Sequence, residues 1–249
     1  MEQKDVSGTV EKALDILFHL HEMPEPQGVT AIGRALGMPK SSAHRLLAAL
    51  GKRGLVEQDV RGRYQIGIAL IALGLGALNR EPIAALARSV LEEQAAVIGE
   101  TFFLVVARAG RLVVLDKVEG NGFLRAAPQI GSMVPVHATA VGKLYLAFAP
   151  QLLSSDAGME RFTDKTLINR ESLANTVATT RSTGWASNFE EWIPGLSVLA
   201  APILPAGRML GAVALAAAAP RITELGIDFL ARRVVDAADR ITARLNGKL

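Results

Sequence analysis

One short segment of the chain carries basic and hydroxyl-bearing side chains at helical spacing. Its outward-facing residues are Lys40, Ser41, Ser42, His44 and Arg45. Its inward-facing residues are Ala43, Leu46, Leu47 and Leu50. Such a helix fits the major groove of B-DNA, about 12 Å wide, where an arginine reaches a base edge and hydroxyl groups hold phosphates. A solvated surface helix shows the same pattern, so the neighbouring elements have to decide between the two.

The neighbouring elements favour contact with nucleic acid. A short helix capped by Thr30 is predicted before the segment, and a tight turn at 37–39 separates the two helices. A hairpin is predicted after it, with its turn at 59–62 and basic residues at its tip for backbone or minor-groove contact. This order predicts a winged helix-turn-helix that binds double-stranded DNA. The predicted DNA-contacting residues are Thr30, Lys40, Ser41, Ser42, His44, Arg45, Arg61 and Arg63.

The local charge points in the same direction. Residues 34–63 contain seven basic and two acidic side chains, a net charge of 7 − 2 = +5. The whole chain of 249 residues has a formal net charge of only +3, so the remainder sums to 3 − 5 = −2. A basic module on a nearly neutral body indicates that one part of the chain faces a polyanion.

The composition excludes several classes of protein. Hydrophobic residues make up 50% of the chain and charged residues 20%, which favours a packed core over disorder. The absence of cysteine excludes disulfides, thiolate zinc sites and cysteine nucleophiles. Residues 1–7 do not resemble a secretory signal, 66–78 is too short to cross a bilayer, and prolines interrupt 198–219. We therefore expect a soluble cytoplasmic protein with no membrane partner.

The C-terminal part of the chain changes to a mixed pattern of strands and helices. An apolar helical connector is predicted at 66–79. Helices are predicted at 82–98, 138–147, 170–183 and 222–245. Strands are predicted at 102–107, 112–118, 184–189, 196–204 and 209–216. Strands mixed with helices without strict alternation predict an α+β domain with an antiparallel sheet.

Several segments resemble the IclR family of transcriptional regulators, the isocitrate lyase regulator type. In the N-terminal part these segments are residues 10–17, 37–47 and 62–64. In the C-terminal part they are 130–131, 134–143, 161–163, 190–195, 200–202 and Arg221. The stretch Pro-Val-His-Ala-Thr-Ala-Val-Gly-Lys at 135–143 is the most specific of them. The resemblance covers nearly the whole chain.

This resemblance implies a complete architecture. The expected fold is α+β, with an N-terminal winged helix-turn-helix joined by a helical linker to a GAF-like effector domain with an antiparallel sheet. We place the DNA-binding domain at 1–66, the linker at 67–80 and the effector-binding domain at 81–249. The resemblance further implies a dimer or a dimer of dimers on a palindromic operator. We expect the first helix and the apolar connector to form the dimer contact.

The resemblance also implies a pocket for a small organic effector, often an acid. Its residues would be Ala140, Val141 and Gly142, which offer backbone N–H groups, and Asn188, Val198, Ala214 and Ala216, which form walls. Relatives that bind small oxo-acids have an acidic side chain, a cysteine and serines at the four wall positions. Three of the four are apolar here, and an unmet buried polar group costs about 1–3 kcal/mol. We therefore predict a larger, partly apolar or aromatic effector; the alternative is that these are core residues and the pocket is shifted or lost.

Two other functional classes fit parts of the sequence. A small esterase would need a complete nucleophile motif, but the stretch around Ser197 lacks the second glycine. His137 is predicted to form a structural hydrogen bond, since the other histidines lie at 19, 21 and 44 and no metal cluster is visible. A nucleic-acid-packaging protein would need more charge than the apolar C-terminal part offers. We therefore predict no enzyme activity, no catalytic residue, no metal and no cofactor.

Overall fold

The computed structural model describes residues 3–78, 81–122, 128–154 and 158–247. The chain divides into two compact units, Met1–Arg80 and Glu81–Leu249. Among the described residues no single helix is long and apolar enough to cross a membrane. The segments Ile68–Ala77 and Pro82–Ile98 meet that criterion only when they are taken together across the break between them.

The first unit has the predicted order of three helices, a hairpin and a connector helix. Its elements are α1 (Gln3–Glu22), α2 (Val29–Ala35), α3 (Lys40–Gly51), β1 (Val56–Gln58), β2 (Tyr64–Ile66) and α4 (Ile68–Leu78). Strands β1 and β2 are antiparallel, with Val56 opposite Ile66. The loop after α1 joins the hairpin, because Gln27 and Tyr64 exchange backbone hydrogen bonds of 2.8 and 2.7 Å. The predicted winged helix-turn-helix is therefore confirmed.

The helix starts differ from the predictions. Gly28, not Thr30, occupies the N-cap position of α2, and no side chain caps that helix. Helix α3 begins at Lys40 directly after Pro39, rather than at Ser41 or Ser42. Proline fixes its own φ and donates no N–H, so it suits a position at which a helix starts.

A compact turn between α2 and α3 sets the angle of the third helix. A Cβ atom at Gly33 would lie 2.9 Å from the carbonyl oxygen of Met38, so the turn can pack against α2 only because Gly33 has no side chain. Behind it, Ile32, Ala43 and Leu47 are fully buried in the core of the first unit. These contacts turn the opposite side of α3 outward.

Two helices of the first unit keep apolar side chains in solvent. The spacing of 10–20 predicts the helix α1, but its buried residues are Ile16 and Leu20. Val10, Leu14 and Phe18 form a second, exposed face at spacing i, i+4, i+8, and Phe18 is 65% exposed. Helix α4 likewise exposes Ile68, Ile71, Leu73 and Leu75.

The second unit is a six-stranded antiparallel sheet covered by helices. Its strands are β3 (Thr101–Arg108), β4 (Arg111–Val118), β5 (Met133–Val134), β6 (Ala186–Phe189), β7 (Leu196–Ile203) and β8 (Gly211–Ala218). Its helices are α5 (Pro82–Ile98), α6 (Ala140–Phe148), α7 (Arg170–Thr183), α8 (Ala219–Leu225) and α9 (Ile227–Leu245). The strand order is β5-β4-β3-β8-β7-β6. The predicted α+β class with an antiparallel sheet is confirmed, and the helix predicted at 222–245 is split by Gly226, which has a φ of +87°.

The central strands are buried on both faces. One face of β7 and β8 packs with α5 and α9 through residues such as Leu199 and Leu215. The other face packs with α6 and carries the small residues Ala200 and Ala214. Because that face of β8 has only alanines between Gly211 and Ala217, helix α6 has room to lie close to the sheet.

Candidate functional site

The outward face of α3 collects five of the predicted DNA-contacting residues. Lys40, Ser41, His44 and Arg45 are exposed, and Ser42 is half-buried. No ion pair or hydrogen bond within the described part of the chain engages the side chain of Lys40 or of Arg45. Thr30 is exposed on α2. The face therefore offers two cations without an ion-pair partner in the described structure, beside the hydroxyl groups of Ser41 and Ser42.

The hairpin between β1 and β2 uses its two arginines differently. The Asp59 carboxylate accepts the backbone N–H groups of Arg61 and Arg63 at 2.9 and 2.8 Å, and also Nε of Arg63 at 2.8 Å. The pKa of Asp59 lies below its ordinary value, chiefly because of the bond from the Arg63 backbone. Arg63 thus closes the turn, whereas Arg61 extends into solvent beside Val60 at the tip. Asp59, which the sequence analysis did not single out, holds this wing in shape.

A narrow cavity lies in the second unit between the first turn of α6 and strands β6 and β7. Its volume is about 20 Å³, enough for about one water molecule and far below the ~300–1,000 Å³ typical of ligand pockets. Its walls are formed by Phe103, Pro128, Val134, Thr139, Val141, Asn188, Trp192, Ile193, Leu196 and Val198. Eight of these ten described lining residues are apolar, and none is charged.

The structure brings together only part of the predicted effector site. Val141, Asn188 and Val198 line the cavity. The other four predicted residues, which are Ala140, Gly142, Ala214 and Ala216, are buried outside its lining. On β3, Phe103 lies directly opposite Ala214 of β8, and its ring forms the wall that the sequence analysis assigned to the alanine. The pairing register of β3 and β8 determines this arrangement, and the sequence does not show that register.

The N-terminus of α6 is built by a capping threonine. Oγ1 of Thr139 accepts the Gly142 N–H at 3.0 Å and donates to the carbonyl oxygen of Pro135 at 2.6 Å. The expectation that Gly142 offers its N–H to an effector is therefore wrong, because Thr139 already takes that group. The N–H groups of Ala140 and Val141 have no acceptor within the described segments, and a helix N-terminus favours oxygen atoms and anions.

The capping arrangement requires glycine at position 142. A Cβ atom there would lie 1.7 Å from the carbonyl oxygen of Val136 and 2.6 Å from its Cα. No rotation of a side chain relieves this contact, since the atoms belong to the backbone. The first turn of α6 is therefore held against the segment that precedes it.

Asn188 connects strand β6 to the start of α6. It is only 2% exposed. Its Nδ2 donates to the carbonyl oxygen of Ala138 at 2.7 Å. Its Oδ1 is buried and has no hydrogen-bond partner in the described part of the structure.

A buried ion pair fixes the loop that carries Trp192 and Ile193. Nζ of Lys143, a residue that is 1% exposed, lies 2.5 Å from Oε1 of Glu191 and 3.0 Å from the carbonyl oxygen of Ser187. Burial lowers the pKa of Lys143, and the neighbouring Glu191 opposes this shift. Thr166 holds the same loop by donating to the Glu191 carbonyl oxygen at 2.6 Å. The sequence analysis included Glu191 in a motif but did not predict its pairing with Lys143.

The C-terminal half of α6 is hydrogen-bonded to the sheet and to α7. The hydroxyl group of Tyr145 accepts the backbone N–H of Ala107 at 3.0 Å, and burial raises the pKa of Tyr145 to about 12. Arg181 of α7 donates to the carbonyl oxygen of Ala147 at 2.7 and 3.0 Å. Helix α6 is thus anchored along its length.

His137 and Ser197 have structural surroundings. Nε2 of His137 lies 2.8 Å from the carbonyl oxygen of Glu160, and its ring stacks on Phe162 with centroids 5.7 Å apart. This agrees with the structural hydrogen bond predicted for His137. Ser197 is fully buried in β7. Within the described ranges, no group of three or more His, Cys, Asp or Glu residues is placed to hold a metal ion.

Comparison with known proteins gives matches along most of the chain. Residues 9–60 match the model of the IclR helix-turn-helix domain, and residues 75–243 match that of the bacterial transcriptional regulator IclR C-terminal domain. The glycerol operon regulatory protein of Streptomyces coelicolor is 33% identical over 222 residues, covering 88% of this chain and 87% of that protein. The transcriptional regulator XynR of Escherichia coli is 31% identical, covering 87% of this chain and 88% of that protein.

Solved structures share the same fold. The Thermotoga maritima IclR structure has a TM-score of 0.82 and 27% identity, covering 96% of this chain and 99% of that one. An IclR homologue of Microbacterium hydrocarbonoxydans, solved with 4-hydroxybenzoate, has a TM-score of 0.80 at 20% identity, with the same coverage of the two chains. At that identity the second likeness concerns the fold alone.

The contact at Gly142 gives a stability prediction. Gly142→Ala should destabilise the second unit by about 3 kcal/mol or more, because a Cβ atom has no space against the Val136 backbone. Thermal unfolding followed by circular dichroism measures the loss. Gly158→Ala is the matched control, since no atom of the described residues lies within 4 Å of the Cβ position there, and it should change the stability by less than about 0.5 kcal/mol. Equal melting temperatures for the two variants would contradict the contact.

Proposed function

The chain belongs to the IclR family of bacterial transcriptional regulators, and on this premise we propose that it binds a palindromic operator as a dimer, under the control of an organic effector. It joins a helix-turn-helix DNA-binding domain to a C-terminal effector domain. Its relatives are named as regulators, which confirms the expectation that it is not an enzyme. We propose that it acts in the cytoplasm, and that the DNA-binding domain, linker and effector-binding domain span 1–66, 67–80 and 81–249.

The outward face of α3 is the observation that carries the DNA part of this proposal. Lys40 and Arg45 are exposed there, and the buried residues of the same helix fix the direction in which they extend. Serine hydroxyl groups beside them suit phosphate oxygens, and Arg45 suits a base edge in the major groove. Arg61 at the wing tip adds a contact to the DNA backbone or the minor groove. Arg63 acts mainly by shaping the wing through Asp59.

The proposed dimer rests on the exposed apolar faces of the first unit. Val10, Leu14 and Phe18 on α1, together with Ile68 and Ile71 on α4, expose more apolar surface than a solvated monomer favours. A two-fold contact through such surfaces buries them. It also presents two α3 helices to half-sites about 34–36 Å apart on the duplex.

We place the effector at the cavity beside α6, whose walls have to move apart to admit it, and expect it to be partly apolar or aromatic. Apolar walls that include Phe103 and Trp192 suit a hydrocarbon or ring, and the free N–H of Val141 suits an oxygen atom. The 4-hydroxybenzoate complex of the Microbacterium hydrocarbonoxydans homologue supports an aromatic ligand on this fold. The effector can change operator affinity only by binding one arrangement of the protein more tightly than another.

Arg45→Ala tests the DNA-reading face. The variant should lose about 1–3 kcal/mol of specific operator affinity if Arg45 reads a base, measured by fluorescence anisotropy at fixed salt. Arg208→Ala is the matched control, because it removes the same charge from an exposed position of the effector unit, and it should bind as the wild type does. Unchanged affinity and salt dependence in the Arg45 variant would remove this residue from the interface.

Phe18→Glu tests the dimer. A charge in the apolar face of α1 should convert the dimer into a monomer at micromolar concentration, because burying an unpaired carboxylate is costly. Sedimentation velocity measures the change. Val97→Glu replaces a similarly exposed apolar residue on the effector unit and should leave the dimer intact. A monomeric wild-type protein that still binds its operator tightly would refute the proposed dimer.

Val198→Phe tests the effector cavity. The added ring should fill the space beside Asn188, so that operator binding remains and the response to effector disappears. Overpacking should cost about 1–3 kcal/mol of stability, so the thermal unfolding of the variant is measured alongside. Leu210→Phe, at an exposed position, is the control for added bulk. A normal response from the Val198 variant would place the effector elsewhere.

A further inference from the structure

The turn at the tip of the wing exposes an apolar side chain beside a cation. Val60 is fully exposed. Arg61 is exposed as well, and in the described part of the chain no ion pair or hydrogen bond engages its guanidinium group. The next residue, Gly62, adds no side chain. Because single exposed apolar residues are common on protein surfaces, the significance of this pair depends on the backbone that carries it.

Hydrogen bonds hold that backbone in one shape. The Gly62 N–H donates to the Asp59 carbonyl oxygen at 3.0 Å, and the Asp59 N–H donates to the Arg63 carbonyl oxygen at 2.8 Å. The Asp59 carboxylate accepts the N–H groups of Arg61 and Arg63. Nε2 of Gln58 donates to the Gly62 carbonyl oxygen at 2.7 Å. A turn ordered in this way loses little conformational entropy when the side chains at its tip bind a partner.

The size and position of the wing decide which part of a duplex its tip meets. Helix α3, which we assign to the major groove, ends at Gly51, and the wing begins at Val56, so the wing meets the DNA beside that groove. Hairpin strands lie about 4.8 Å apart, so with their side chains they are too wide for the minor groove, which is about 6 Å across. Only the side chains at the tip can enter. Val60 has no donor for a phosphate, but it suits the apolar deoxyribose walls of the minor groove.

The minor groove distinguishes A·T pairs from G·C pairs. A·T pairs show only acceptors on its floor, whereas a G·C pair adds the guanine N2 amino group, a donor. The guanidinium group of Arg61 has only donors, so an A·T pair satisfies it and the guanine amino group opposes it. Tracts of A·T pairs also have a narrower groove with a more negative potential, which brings the sugar walls closer to Val60.

From this ordered tip we infer that the wing selects A·T-rich DNA beside each half-site, with Arg61 on the floor of the minor groove and Val60 on its wall. Asp59 is the positioning residue that holds the two. The inference rests on the DNA binding proposed above, and it adds a preference at base pairs outside the major-groove contact of α3.

Selection from random duplexes by the full-length protein tests the preference without a known operator. The selected duplexes should share a palindrome, with A·T pairs flanking each half-site. A palindrome without A·T-rich flanks overturns this inference alone. Absence of any enriched palindrome overturns the proposed operator binding, and this inference with it.

Base analogues in a selected duplex locate the contact. The flanking A·T pairs are replaced by G·C, by inosine·C, which lacks the minor-groove amino group, or by diaminopurine·T, which adds that group to an A·T major-groove edge. In fluorescence anisotropy at fixed salt, G·C and diaminopurine·T should weaken binding about tenfold, and inosine·C less than about twofold. Equal weakening by G·C and inosine·C, with none by diaminopurine·T, would assign the preference to the major groove and overturn the inference.

Variants of the wing assign the preference to its residues. Arg61→Ala should bind the A·T and G·C duplexes with equal affinity, and Val60→Ser should have a reduced preference. Arg208→Ala, which removes an exposed arginine of the effector unit, should keep the full preference. A wild-type preference in the Arg61 variant overturns its assignment to the groove.

Two substitutions of Asp59 separate its positioning role from its charge. Asp59→Asn and Asp59→Ala both remove one negative charge, which by itself strengthens binding to any duplex. Asparagine keeps an oxygen atom for the N–H groups of Arg61 and Arg63 and should retain the preference for A·T flanks, whereas alanine should lose it. Binding of the palindrome shows that each variant is folded. The same preference in both variants overturns the positioning role of Asp59.

Discussion

The close approach of the Gly142 backbone to the carbonyl group of Val136 determines where helix α6 lies in the effector unit. The capping bonds of Thr139 follow from that approach, and so does the position of the Ala138 carbonyl group that orients Asn188. The alanine-rich face of β8 leaves room for the helix on the other side. The shape and the polarity of the cavity thus depend on two places where side chains are small or absent.

Several arginines of the effector unit are paired with carboxylates, whereas the cations on the outward face of α3 are not. In the effector unit, Arg88 pairs with Asp116 at 2.9 Å, Arg240 pairs with Glu93 at 2.5 Å, and Arg108 pairs with Glu81. On the DNA-binding face, Arg45 and Lys40 have no such partner among the described residues. Exposed ion pairs contribute little to stability, but they cancel charge that would otherwise attract nucleic acid. The pairing of Arg88, Arg108 and Arg240 in this way reduces the positive charge that the effector unit presents to nucleic acid.

The elements with strong local signals could be predicted from the sequence, and those set by distant contacts could not. Turn residues and spacing fixed the order of helices, the wing and the β3–β4 hairpin. The periodicity of α1 showed an apolar helix, but not that Val10 and Leu14 lie outside the core of their own unit. Strand β5 has only two residues and leaves no periodic pattern. The cavity walls Phe103 and Trp192 depend on strand register and on the buried Lys143–Glu191 pair, which join residues far apart in the sequence.

The hydrogen bonds that anchor α6 limit how ligand binding in the cavity can affect the rest of the effector unit. The helix is bound near its start by Thr139 and Lys143, and further along by Tyr145 and Ala147. A hinge within this helix would break several buried hydrogen bonds at once, each of which is costly to leave unmade. We therefore expect ligand binding to move α6 together with the end of strand β3 at Ala107, or to reduce the thermal motion of the effector unit. In that case ligand binding changes the stiffness and the conformational entropy of the effector unit more than it changes its backbone conformation.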